Sequence, residues 1–125
     1  MNLSCILIVD DNEGDQYICQ HTIQKECPDT VILQAFDGVE ALEVLESSEL
    51  KPDLIILDIN MPRMNGHEFL EAYAKKPENE KSSVVIMLTS SVQESDREQA
   101  MAHQCVIDFF NKPLDAEDID KLKKR

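Results

Sequence analysis

Glycine is scarce in this chain: three of 125 residues. No Gly/Ser/Thr-rich loop follows the first apolar run, which argues against the phosphate-cradling turn of a flavin site. Long apolar stretches are missing too. The longest unbroken runs, Cys5–Val9 and Val84–Leu88, fall far short of the roughly 20 residues that cross a bilayer. The first of them stops at Asp10–Asp11 and has no basic segment before it, so the N-terminus does not read as a secretory signal. Basic residues are few, 12 against 25 acidic, for a net charge of −13. Such a surface repels phosphate backbones and anionic lipid, and direct nucleic-acid or membrane binding is not expected. The four cysteines (Cys5, Cys19, Cys27, Cys105) form no CxxC pair and no disulfide-scaffold spacing. Three are expected to face the core as small hydrophobes, in a reducing cytoplasm.

What is present is one rhythm repeated five times. Short apolar runs at Cys5–Val9, Val31–Phe36, Leu54–Leu57, Val84–Leu88 and Val106–Phe110 read as strands. Helical patterns separate them: Cys19, Ile23 and Cys27, then Val39, Leu42 and Leu45, then Phe69, Leu70 and Tyr73, and finally Ala116, Ile119 and Leu122. The segment 95–104 is the least apolar, and its helix rests on a capping-box pattern from Ser95 to Glu98. The last helix carries Asp115, Glu117 and Asp118 at its start and Lys121, Lys123, Lys124 and Arg125 at its end, matching the helix dipole. Strands apolar at nearly every position are buried on both faces, which implies an α/β fold, a doubly wound parallel sheet flanked by five helices. A chain this size makes one domain, residues 1–125.

In such sheets function sits at the carboxyl ends of the strands. Those ends bring together Asp10 and Asp11 after the first strand, Asp58 after the third, Thr89 after the fourth and Lys112 after the fifth. Three converging carboxylates destabilise one another unless a cation lies among them, and hard oxygen donors favour Mg²⁺, Mn²⁺ or Ca²⁺ over zinc. A cation, a lysine and a hydroxyl around one carboxylate make a receptor for a phosphoryl group, which the carboxylate can accept as an aspartyl phosphate. Each residue alone has a plainer reading: helix capping for Asp10–Asp11, a turn for Asp58, a strand β-branch for Thr89 and a solvated lysine for Lys112. Their shared edge favours the joint reading. Cys19-x-His21 and His103-x-Cys105 point to different helix faces and suit no metal. His67 and His103 read as surface residues, and Met61 and Met64 as loop packing.

The stretches Ile6-Leu-Ile-Val-Asp-Asp-Asn12, Leu54-Ile-Ile-Leu-Asp-Ile-Asn-Met-Pro62 with Gly66, Met87-Leu-Thr-Ser90 and Phe109-Phe-Asn-Lys-Pro113, in that order and spacing, resemble a response-regulator receiver domain of two-component signal transduction, of the single-domain CheY-like kind. The resemblance covers essentially the whole chain. It implies strand order 2-1-3-4-5, the flavodoxin-like arrangement. It also implies that Asp58 is the phosphoacceptor and that Asp10 and Asp11 bind Mg²⁺ or Mn²⁺ together with Asp58 and the backbone carbonyl of Asn60. Thr89 matches the hydroxyl that meets the phosphoryl group, Lys112 the lysine paired with it, Lys112–Pro113 a cis peptide bond and Phe109 the aromatic switch. Phosphoryl lifetime in the family depends partly on the positions of Asn60 and Ser91.

Two positions depart from the family pattern. Phenylalanine stands at the switch where tyrosine is common. Gln104–Cys105 replaces a Gly-Ala pair, and a left-handed cap at Gln104 carries strain. The implied function is a phosphorylation-activated switch rather than an enzyme. It takes its phosphoryl group from a sensor histidine kinase or histidine phosphotransfer domain, whereupon Phe109 turns inward and the helix 4–strand 5–helix 5 surface changes. A monomer or weak dimer is expected. The alternatives are a receiver module cut from a longer regulator or hybrid kinase, an aspartyl-phosphate phosphatase and a flavoprotein. The phosphatase needs an acid two residues past the nucleophile, where this chain has Asn60.

Overall fold

The computed structural model describes residues 1–81, 83–90 and 93–125. Ser91 therefore lies outside the described residues. Five strands alternate with five helices: β1 Cys5–Val9, α1 Glu13–Glu26, β2 Val31–Ala35, α2 Gly38–Ser47, β3 Leu54–Leu57, α3 Gly66–Ala74, β4 Val84–Thr89, α4 Glu94–Met101, β5 Val106–Asn111 and α5 Ala116–Lys123, with a 3₁₀ turn at Glu78–Glu80. All strand pairings are parallel and the order is β2-β1-β3-β4-β5.

Alternate residues of the sheet feed two cores, one on each face. Leu7, Val9, Ile55, Leu57, Val85 and Met87 pack against Phe69, Leu70 and Tyr73 of α3 and Ala41 and Leu45 of α2. Ile6, Ile8, Leu54, Ile56, Ile86 and Leu88 pack on the other face against Cys19 and Ile23 of α1 and Ile119 and Leu122 of α5. Each of the larger aliphatic side chains and Phe69 contributes about 1.5–3 kcal/mol by leaving water. β1 and β3 are buried at every position because other strands flank them on both sides.

Several expectations need correction. β2 is an edge strand, so only Ala35 is buried and Val31 is exposed, despite its apolar sequence. The buried stripe of α2 is Gly38, Ala41 and Leu45, with Val39 and Leu42 only half-buried, and Ala116 of α5 is exposed. Cys5 and Cys19 are buried, and Cys27 and Cys105 are half-buried but pack against the cores, so all four cysteines face the core where three were expected. The Ser95 capping box does not form. The N-cap of α4 lies two residues earlier, at Gln93 and with no side-chain cap, which places Ser95 inside the first turn where its hydroxyl cannot serve.

α4 ends at Met101, and a pair of turns (His103 N–H to Ala100 O, Val106 N–H to His103 O) leads into β5. Gln104 does not take the left-handed conformation. Among the described residues the one non-glycine with positive φ is Arg63, at 62°. The capping box of α5 is Asp115 with Asp118.

Candidate functional site

The sheet ladder runs one residue past its strands at the carboxyl edge, and this is what assembles the site. Asp10 N–H donates to Ala35 O at 3.1 Å, Asp58 N–H to Val9 O at 3.0 Å and Lys112 N–H to Thr89 O at 2.9 Å. Asp10 and Asp58 therefore leave adjacent strands side by side, and Lys112 reaches them from the end of β5, across β4. The Asp10–Asp11 pair does not cap α1; Asn12 does, accepting from Asp15 N–H at 2.9 Å. That leaves Asp10 free for other work, and its Oδ1 accepts from Asn12 N–H at 3.0 Å.

Lys112 is no solvated lysine: its side chain is 12% exposed. Its Nζ lies 2.7 Å from Asp10 Oδ2, 2.9 Å from Asp15 Oδ2 and 3.1 Å from Asp58 Oδ2. Burial disfavours its charged form, but the bonds to Asp10 and Asp15 and the field of Asp58 outweigh that, and the ammonium titrates well above its ordinary value. The Asp10 carboxyl is pushed up, chiefly by burial, with the Asp58 charge adding to it and the Lys112 and Asn12 bonds opposing it. Asp58 is buried, with Oδ1 accepting from Ile59 N–H at 2.8 Å. Thr89 is buried at the end of β4, and Asn60 is exposed on the loop after Asp58. The Lys112–Pro113 peptide bond is cis.

Asp10, Asp11 and Asp58 each offer a carboxylate oxygen, and the three oxygens lie within 4.8 Å of one another. Two are buried and Asp11 is exposed. An all-oxygen donor set of three carboxylates this close together fits a hard divalent cation.

Two loops brace the site. Asp37 caps α2 by accepting from Glu40 N–H at 2.8 Å, and Arg63 grips it with Nε at 2.7 Å and Nη2 at 3.1 Å. That fork, chiefly through its hydrogen bond, holds the Asp37 carboxyl below the usual carboxylate range. Gly38 N–H donates to Met64 O at 3.0 Å, and Gly66 N–H to Ile59 O at 2.8 Å. Met61 and Met64 pack at the core margin as loop residues.

Sequence reasoning missed three contributors. Asp15 holds Lys112 Nζ from the first turn of α1. Gln16 is buried, and its Nε2 lies 3.1, 3.1 and 2.8 Å from the carbonyls of Ile8, Asp10 and Ala35, fastening α1 to the ends of β1 and β2. The signal was there: a helix entered directly from β1 starts at the carboxyl edge, so its first-turn polar residues face the crevice. His67, expected at the surface, is half-buried, with Nε2 3.0 Å from Asp96 Oδ1, and ties α3 to α4. Phe109 is 8% exposed and already lies in the core cluster with Val85, Met87, Ala100 and Val106. Its ring has no hydroxyl to favour an outward position, so burial wins.

A family model described as the response regulator receiver domain matches residues 6–123. The chain belongs to that family. Its members are receiver modules of two-component phosphorelay systems, and they act as signalling switches. Sporulation initiation phosphotransferase F of Bacillus subtilis is 34% identical over 125 aligned residues, which span 95% of this chain and 90% of the relative. The sensor histidine kinase CheAY of Helicobacter pylori is 29% identical over 120 residues; there the match covers 96% of this chain and 14% of the kinase. Receiver domains thus occur in this kinship both nearly alone and as small parts of long proteins. Among solved structures, a two-component response regulator from Cytophaga hutchinsonii superposes with a TM-score of 0.86 at 25% identity, over 99% of this chain and 96% of that one. No helix among the described residues is long and apolar enough to cross a membrane.

Proposed function

We propose that this receiver domain accepts a phosphoryl group on Asp58. The observation that carries the reading is the convergence of Lys112 Nζ and the Asp10–Asp11–Asp58 carboxylates at one edge of the sheet. Asp58 Oδ forms the new bond to phosphorus while the bond from phosphorus to the donor's nitrogen or acyl oxygen breaks, and the donor leaves with that electron pair. Lys112 faces the incoming phosphoryl oxygens as a fixed positive charge. The buried hydroxyl of Thr89, at the end of the neighbouring strand, is the group we assign to the attached phosphoryl. Asp10, Asp11, Asp58 and the Asn60 carbonyl are the residues that would hold Mg²⁺ or Mn²⁺. Such an ion supplies charge neutralisation for the donor's oxygens.

The donor class we assign is a histidine kinase or phosphotransfer protein, in a cytoplasmic setting. The Bacillus relative's name as a phosphotransferase and the Helicobacter relative's name as a sensor histidine kinase support it. The output we assign is the α4–β5–α5 face, with Phe109 as the residue that couples it to the site. Ala100 is the one buried residue of α4, so little apolar packing holds that helix in place. Phe109 begins buried here, so its part in switching is a repacking within the core rather than an entry from outside.

Incubation with acetyl phosphate and Mg²⁺, read by intact mass, tests the reading. The wild-type chain gains one phosphoryl group that hydroxylamine removes. Asp58→Asn and EDTA-treated wild type gain none. Equal incorporation in Asp58→Asn overturns it.

A further inference from the structure

Lys112 has three N–H donors, and three carboxylate oxygens, from Asp10, Asp15 and Asp58, lie within 3.1 Å of its Nζ. The three carboxylates are not equivalent. Asp10 and Asp58 belong to the group whose oxygens can converge on a cation, and Asp15 does not. Asp15 also stands on a different support. It is in the first turn of α1, and its backbone N–H is pinned by the Asn12 cap at 2.9 Å. The helix itself is fastened to the sheet ends by Gln16. A carboxylate on this post stays beside Lys112 when the others are engaged by a cation or by phosphorus.

We propose that Asp15 is a positioning residue for phosphoryl transfer: it anchors the Lys112 ammonium at the edge of the site once Asp10 and Asp58 are otherwise committed. The inference rests on the phosphoacceptor reading and deepens it. With Asp15 holding one N–H, the remaining donors of Lys112 are aimed back across the site, toward the place where the phosphoryl oxygens gather above Asp58. Without Asp15 the four-carbon stem is free to swing the ammonium into water, since its other two partners are shared. Asp15 touches no reacting atom; it acts through Lys112.

The test uses the full chain as wild type, Asp15→Asn and Asp15→Glu. The first readout is the mobility and hydrogen exchange of the Lys112 ζ-ammonium by NMR at saturating Mg²⁺. It stays ordered in wild type and becomes mobile, with exchange at least fivefold faster, in Asp15→Asn. The second is phosphorylation by acetyl phosphate. The maximal rate falls about five- to tenfold in Asp15→Asn, the size expected from losing one charge-assisted hydrogen bond to a part-exposed group, and is largely restored in Asp15→Glu. Mg²⁺ affinity changes less than threefold, because Asp15 is not a ligand.

An unchanged ammonium in Asp15→Asn overturns the assignment, and so does a faster maximal rate. A loss of Mg²⁺ affinity larger than the loss in rate makes Asp15 a ligand and also overturns it. If wild type itself is not phosphorylated, the phosphoacceptor reading fails, while the ammonium measurement still decides the role of Asp15.

Discussion

A methyl group placed on Gly66 would fall 2.5 Å from the main-chain oxygen of Asp58 and 3.0 Å from the Cα of Ile59. Both are backbone atoms, so no side chain can swing aside to make room. Gly66 opens α3 just where that helix passes under the loop carrying Asp58. The contact explains why this position takes a residue without a Cβ, and it couples the start of α3 directly to the acceptor.

Gly66→Ala should therefore displace the Asp58 backbone. A cost of about 1–3 kcal/mol in denaturant unfolding is expected from overpacking at a site that cannot collapse. Acetyl phosphate labelling should fall with it, although no functional side chain has been altered. Wild-type stability and labelling in this variant would mean that the loop after Asp58 gives way freely.

Mg²⁺ should stabilise the folded chain by mass action. At a concentration a hundredfold above its dissociation constant the gain is about 2.7 kcal/mol, seen as a rise in thermal midpoint. Asp11 is the exposed member of the carboxylate group, so Asp11→Ala should leave metal-free stability nearly unchanged while removing most of that rise. A metal response that survives Asp11→Ala would place the ion elsewhere.

The Arg63–Asp37 fork should make a pH-dependent contribution to stability. The Asp37 carboxyl is held below its ordinary value, so the stabilisation is fully present above the unfolded-state value and is lost as pH falls through the folded one. Urea unfolding of wild type and Arg63→Ala should differ near neutral pH, and the difference should shrink steadily below about pH 4, where an unfolded aspartate begins to protonate. A gap that stays constant down to pH 2 would show that the pair is not the source.

Phe109 tests the output route. Phe109→Ala removes a buried ring and should cost about 3–5 kcal/mol. Phe109→Leu keeps much of the packing and is the cleaner probe. It should leave the rate of Asp58 labelling within about twofold while weakening any phosphorylation-linked change in amide exchange across α4 and β5, since the ring sits in the core rather than in the site. Full exchange changes in Phe109→Leu would take Phe109 out of the pathway.

Central strands were legible in the sequence because burial on both faces leaves an unbroken apolar run, and β1 and β3 begin and end where those runs do. Asp10, Asp58, Thr89 and Lys112 were legible as candidates because each ends or follows a strand, and the structure places all four at one edge of the sheet. Edge exposure was not legible: Val31 and Ile32 are as apolar as central residues, and only the global order puts β2 at the margin. Nor was the start of α4, because Ser95 and Glu98 fit a capping pattern that Gln93 pre-empts without any side-chain bond. Asp15 and Gln16 resembled ordinary polar residues of a helix start, and the signal that sets them apart is the short step from the end of β1 to the first turn of α1. The left-handed backbone at Arg63 carries no local sequence signal of the usual kind, since it is neither glycine nor asparagine.

The most direct measurement locates the phosphoryl group itself. Borohydride reduces an acyl phosphate of aspartate to homoserine, which peptide mass spectrometry then places in the chain. After acetyl phosphate and Mg²⁺ treatment, homoserine is expected at position 58 alone, and its yield should fall away in Lys112→Ala. Homoserine at Asp10, Asp11 or Asp15, or none at Asp58 in the wild-type chain, would contradict the account.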